Sequence, residues 1–322
     1  MARFLARRLA QGVVIVWLVA TATFALLHLA PGDPVAASLD NPLTPPEVRS
    51  HWRHAYGLDR PLGEQYVRYL AGVAHGDLGF SVPHRESVAA VLADAVPNTL
   101  LLMGAALFAA FAVGMPIGIA QARRRGALDR GLGVATLLVY SVPEFWLALM
   151  MMLVFAYRLR LFPVTGMFDP VMHPYLGFWG RLRDVAWHLV LPATTLALLG
   201  AAVVARFQRA AMLDVAQQDF IRTARAKGVP ERGIVLRHQW RNALLPVITL
   251  LGLALPALLG GAVFVEKIFA WPGMGLLTVD AIGTRDYPLV TGSVIVGSAL
   301  VVAGSLLADL LYAAADPRIR ER

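Results

Sequence analysis

Six stretches of this chain are apolar over a length that, wound into a helix, matches the thickness of a bilayer. A hydrocarbon core about 30 Å thick takes about 20 helical residues. Residues 9–29, 95–122, 185–205, 243–265 and 287–308 are uncharged over such lengths, and 131–157 carries one charge, Glu144. A chain of 322 residues with these runs has one reading, an all-α polytopic membrane protein with six transmembrane helices. Composition agrees: 57% of residues are hydrophobic, 16% are charged and the mean hydropathy is +0.61, outside the range of soluble domains.

The first run follows Arg3, Arg7 and Arg8 and is longer than the apolar part of a signal peptide. Ala30, Pro31, Gly32 and Asp33 make a poor cleavage site, so a retained first helix is expected within residues 1–30. Residues 31–94 turn polar and proline-bearing, and form an external segment with helix expected over 47–56 and 62–73. At this size it cannot sustain its own core and is expected to pack on the outer ends of the spans. Residues 95–313 hold the remaining five spans, and 314–322 form a tail.

An even number of spans puts both termini on one side, and the basic residues choose that side. The amino terminus, the second-to-third and fourth-to-fifth connections and the tail hold 18 of the 29 Lys and Arg residues; the other three connections, one of them the long external segment, hold 11. The positive-inside rule therefore places both termini in the cytoplasm of an inner-membrane protein. The net charge of +8 is a consequence of this topology, and a nucleic-acid partner is not called for.

The absence of cysteine excludes disulfides, thiolate nucleophiles and cysteine metal sites. No G-x-x-x-x-G-K-[ST] loop, G-x-S-x-G elbow or H-E-x-x-H helix is present, so neither a nucleotide site nor a hydrolase constellation is expected on this chain. There is no catalytic or metal assignment to make; His51, His54, His75 and His84 read as solvated loop histidines.

The polar residues that remain fall in three places. Glu144, directly after Pro143, is the carboxylate well inside a predicted span; a charge there lines a protein interior or a watery path, is paired structurally, or sits nearer the interface than the run suggests. Pro143 weakens the local helix hydrogen bonding and is expected to kink the span. Trp271, Pro272 and Gly273 with Asp286 form an external turn between the last two spans, where Phe269 and Trp271 read as membrane-boundary anchors.

The third place is a basic island from 219 to 246, within a cytoplasmic region of residues 207–242. Asp219, Phe220, Ile221, Arg222, Thr223, Ala224, Arg225, Ala226 and Lys227 form a short helix, with Asp219 as its cap, Gly228 as a left-handed exit and Pro230 blocking continuation. A second helix starts near Glu231. Phe220, Ile221 and Ala224 share a face away from Arg222 and Arg225, which suits a protein groove; an interfacial loop held by anionic membrane lipid is the plainer alternative.

Nine short pieces, in order, then resemble one family: LAPGDP at 29–34, YGLDRPL at 56–62, GDLGFS at 76–81, PNTL at 97–100, SVPEFWLAL at 141–149, TARAKG at 223–228, RNALLPVIT at 241–249, FAWPGMG at 269–275 and RDYPLV at 285–290. Together they resemble the B-type permease of ABC importers of the dipeptide, oligopeptide and nickel group. The resemblance implies a type I importer permease fold and ATP-driven uptake of peptides or a related small solute such as a nickel chelate. It also implies a related second permease, two ATPase subunits carrying ATP and Mg, and an external substrate-binding protein. In that family the segment between the fourth and fifth spans is the coupling helix that docks in the ATPase. The general importer pattern, E-A-A and then Gly after three intervening residues, here reads Arg222, Thr223, Ala224 and Gly228. The rival reading from the residues alone is a stand-alone secondary transporter, which usually shows more ionisable midplane groups than Glu144; a membrane protease lacks its nucleophile and metal residues.

Overall fold

The computed structural model describes residues 2–29, 59–123, 126–259 and 262–315. The described residues are mostly helical and include one two-stranded hairpin, β1 (Phe80–Ser81) antiparallel to β2 (Glu86–Ser87). Four described helices are long and apolar enough to cross a membrane: α1 (Ala2–Leu29, with the spanning part Ala6–Leu29), α3 (Val88–Arg123), α6 (Phe178–Ala216) and the last helix (Tyr287–Ala315, spanning part Tyr287–Leu310). The expected run at 243–265 is helical over Trp240–Leu259, and residues 260–261 lie outside the described residues. The expected helix over 47–56 also lies outside them, whereas α2 (Leu62–Ala74) forms as expected.

The expected third span is corrected. It is two helices, α4 (Ala127–Ser141) and α5 (Glu144–Met151, continued by a π-helical turn to Arg158), bent by 101° at the break. The cause is local: Pro143 has no N–H to donate and forces Val142 out of the helical region, to φ −79° and ψ 130°. Counted as one span, the bent pair makes a fifth.

The chain divides into two units. One comprises Met1–Thr99 with Pro272–Ala303, the other Leu100–Trp271 with Gly304–Arg322. In the first, α2 packs on the end of α1: Thr21 and Tyr66 share a hydroxyl hydrogen bond of 2.7 Å, and the Phe24 ring lies 5.3 Å from Tyr66 and 5.5 Å from Tyr69. The core beside it is Val88, Val91, Leu92, Met274, Ala281 and Leu289. Gly292 is required there, since a Cβ on it would stand 2.4 Å from Val88 Cγ1.

In the second unit α3 and α6 cross closely. A Cβ on Gly114 would stand 2.7 Å from the Ala201 carbonyl, and one on Gly118 2.5 Å from that of Ala205. Contact advances in the same direction along both helices, so they run parallel. Small residues allow this backbone approach, which is how helices gain packing where the surrounding medium is itself apolar. The α4 helix is held to α6 by the bidentate pair Arg209–Asp129, at 2.8 and 2.9 Å, and by Arg206 over the Tyr140 ring.

Candidate functional site

The basic island forms a helical hairpin beyond the end of α6. Its first arm, α7 (Asp219–Ala226), begins one residue earlier than a cap at Asp219 requires: Gln218 takes the extended N-cap position with no side-chain bond, and Asp219 is the first helical residue. The Asp219 carboxylate therefore acts on the helix dipole and reaches Arg222 at 3.4 Å, instead of capping.

The exit is as expected and more complete. Gly228 has φ +76°, the Val229 N–H donates to the Ala224 carbonyl at 3.2 Å, and the Gly228 N–H donates to that of Arg225 at 3.0 Å. This pair of bonds is the Schellman motif, and it needs a residue tolerant of the left-handed region at Gly228. Pro230 then opens a turn at Glu231–Gly233, a π-helical stretch Ile234–Gln239 and the long helix α8 (Trp240–Leu259). Arg225 reaches across this turn to Glu231, at 2.9 and 3.3 Å. That hydrogen bond, then its charge, hold the Glu231 carboxyl below the usual range and push the Arg225 guanidinium up.

The expected apolar docking face is corrected. Ile221 and Ala224 are buried, within a core made by Ala211, Met212, Val215, Ile234, Val235 and Ala243. Packing on its own chain has consumed that face. Phe220, Arg222, Thr223, Arg225, Ala226, Lys227 and Gly228 are left exposed. One side of the short helix is thus packed on the ends of α6 and α8, and the other is exposed and basic.

The other candidates separate. Glu144 is half-buried, in the first turn of α5 beyond the break and next to Pro143. Trp271 and Phe269 are 0% and 2% exposed, so the boundary-anchor reading is also corrected: both belong to the core of the second unit, with Leu102, Ala148, Leu191 and Val265. Their placement depends on α9 (Val263–Ile268), which ends on Ala270 at φ +49° with the Trp271 N–H bonded to the Glu266 carbonyl at 2.9 Å.

In the first unit, Asn98 donates to the Pro272 carbonyl at 2.9 Å, and Gly273 precedes α10 (Met274–Gly283), whose first N–H bonds to Thr99 Oγ1 at 2.8 Å. Asp286, 1% exposed, accepts from the Ser81 hydroxyl and from the Leu289 N–H. It caps the last helix, α11 (Tyr287–Ala315), and ties the β1–β2 hairpin to it. Sequence reasoning missed this anchor and the buried glutamines Gln121 and Gln208. Gln121 shares the face of Gly114 and Gly118 in the predicted span 95–122, which was the available signal for it; Gln208 falls past the predicted span 185–205, where a polar residue draws no notice.

The family model "Binding-protein-dependent transport system inner membrane component" matches residues 114–321, and its amino-terminal companion, "Binding-prot-dependent transport system membrane comp, N-term", residues 1–103. The chain is 39% identical over 335 residues, spanning all of both chains, to the di/tripeptide transport system permease protein DppB of Pseudomonas aeruginosa. It is 37% identical over 338 residues, again spanning both in full, to the dipeptide transport system permease protein DppB of Escherichia coli K12. It is 37% identical over 321 residues, 99% of each, to the oligopeptide transport system permease protein AppB of Bacillus subtilis. A solved structure of the MetNI methionine ABC transporter shares the fold, with a TM-score of 0.50 at 18% identity over 69% of this chain and 96% of that one. The sequence, its long apolar helices and these matches agree: the chain is a multi-pass inner-membrane protein belonging to the binding-protein-dependent transport system inner membrane component family, in its B-type permease branch.

Proposed function

We propose that this chain is one of two related permease subunits of an ATP-driven importer of di- or oligopeptides. In this reading it has six spans with both termini cytoplasmic, it works with two ATPase subunits and an external binding protein, and it moves substrate by alternating access. The peptide class is supported by relatives alike over their whole length and named for dipeptide, di/tripeptide and oligopeptide transport.

The observation that carries the mechanism is the hairpin's two-sidedness. ATPase closure moves the exposed face of Phe220, Arg222, Thr223 and Lys227. Because Ile221 and Ala224 are embedded against Met212, Val215 and Val235, that movement passes into α6 and α8 together. Glu144 and Pro143 stand at a bend of 101° and would line the path, while Trp271, Pro272, Gly273 and Asp286 would support the side that meets the binding protein. ATP and Mg remain on the partner subunits.

The test uses the absence of native cysteine. The full complex, reconstituted in vesicles, should take up a labelled dipeptide only with ATP and binding protein. A cysteine at Thr223 should cross-link to the ATPase, and one at the buried Ile221 should not. ATP-independent uptake, or cross-linking at neither position in an intact complex, would sink the reading.

A further inference from the structure

The α3–α6 crossing carries a feature that the coupling hairpin does not explain. On α3, Gly114, Gly118 and Gln121 follow one another at spacings of four and three; on α6, Ala201, Ala205 and Gln208 repeat the pattern. Such spacings put each trio on one helical face. Those faces meet, because Gly114 lies against Ala201 and Gly118 against Ala205 and Gln208. Gln121 is 2% exposed and Gln208 0%, and among the described residues Gln121 Oε1 and both polar atoms of Gln208 have no hydrogen-bond partner. A buried amide without a partner is costly, more so where lipid replaces water, and a leucine or methionine of similar size would avoid the cost. Two amides with unpartnered buried atoms on facing helices, beyond a glycine seam, therefore call for a second arrangement in which they are satisfied.

The geometry supplies one. Gly118 lies between Ala205 and Gln208, so Gln121 stands no more than three residues beyond Gln208 along a parallel helix, at most about 4.5 Å at 1.5 Å per residue. A slide of α3 against α6 within that distance brings the amides level; Gly114, Gly118, Ala201 and Ala205 keep the seam narrow, and the Val204 side chain, which lies against Gly114, turns as the helices move. The inner ends of both helices already touch the hairpin: Ile119 and Ala122 of α3, and Met212 and Val215 of α6, pack on the core containing Ile221 and Ala224.

We propose that Gln121 and Gln208 form a state-dependent latch, unpaired in this conformation and hydrogen-bonded to each other in the ATP-bound limb of the transport cycle. This rests on the reading of the hairpin as the ATPase-driven lever. In the other limb the paired amides satisfy each other and hold the two helices in the shifted register; on return they separate again. The cycle is driven by ATP, so the resting state tolerates the unpaired groups.

The test is a double-mutant cycle on the assembled complex with Gln121→Leu, Gln208→Leu and the pair, read as thermal stability without nucleotide and in an ATP-trapped state. Without nucleotide, each single change should raise the Tm by about 2–4 °C, and the two should add. In the trapped state each should lower it, non-additively, and ATP-driven uptake should fall roughly tenfold. Additive effects of one sign in both states would overturn the latch. So would failure of both the leucine and the methionine variants to give folded complex, because the amides would then be needed at rest. If the wild-type complex shows no ATP-dependent uptake, the importer reading fails instead, and the thermal cycle still reports whether the two glutamines pair.

Discussion

Arg225 closes the helical hairpin at residues 219–239 by donating two hydrogen bonds to the Glu231 carboxylate, at 2.9 and 3.3 Å, across the left-handed Gly228. Both side chains are about half exposed, at 48% and 62%, so solvent screens the pair and it contributes only about 0.2–1 kcal/mol. Its importance is geometric: it sets the angle between α7 and the following turn.

Glu231→Gln should therefore lower the Tm only slightly but loosen the hairpin, seen as faster proteolysis at 227–232. The pH dependence follows from the depressed Glu231 value. A group whose folded pKa is lowered contributes fully above its unfolded value, here the ordinary 4.5, and its contribution is lost as pH falls through the lower folded value. Between pH 6 and 8 the pair should be insensitive to pH, and raising the salt concentration at pH 7 should mimic the mutation.

Gly228→Val should abolish ATP-driven uptake while leaving insertion intact. A Cβ at Gly228 meets nothing within 4 Å, so space is not the obstacle; φ of +76° is. A β-branched residue resists that region by about 1–2 kcal/mol or more, whereas asparagine visits it readily. Gly228→Asn should thus keep most of the uptake that valine loses. Equal uptake by wild type and the valine variant would remove the argument for a fixed exit.

These features were legible because they are local. Gly228 and Pro230 mark the hairpin in any context, and Pro143 breaks a helix through its own missing N–H and its effect on Val142, although its 101° result is larger than a kink. What escaped was tertiary. Ile221 and Ala224 form an apolar face whether they meet a partner or their own chain, and only the positions of Met212 and Val235 decide between the two. Trp271 in a turn looks interfacial until α9 tucks it into a core. The left-handed exits at Ala270 and Arg285, with φ of +49° and +55°, carry no glycine to announce them.

The α3–α6 seam gives a paired prediction. Gly118→Ala puts a methyl 2.5 Å from the Ala205 carbonyl and 2.7 Å from Gln208 Cβ, and the backbone cannot yield without parting the helices. Overpacking of this kind costs about 1–3 kcal/mol. On the same helix, Gly104 has open space around it, and Gly104→Ala should stabilise by roughly 0.5–1 kcal/mol. Thermal unfolding in detergent should move in opposite directions for the two variants; a common direction would mean that helix propensity outweighs the crossing.

Asp286 joins two jobs in one buried carboxylate, and substitution can part them. As the N-cap of α11 it accepts from Leu289 at 3.3 Å, and as an anchor it accepts from Ser81, whose oxygen also lies 2.9 Å from His84 Nδ1. Asp286→Asn keeps an acceptor for the cap, since asparagine caps about as well as aspartate. Asp286→Ala removes both and leaves the Ser81 hydroxyl, itself 0% exposed, without its acceptor. The alanine variant should lose about 2–4 kcal/mol, the sum of a cap and a buried hydrogen bond, and the asparagine variant about half of that. Ser81→Ala should free the β1–β2 hairpin while sparing the cap, seen as proteolysis near Arg85 with an unchanged Tm for the helical core. If Ser81→Ala and Asp286→Ala destabilise equally, the hairpin anchor carries the whole effect and the cap contributes nothing.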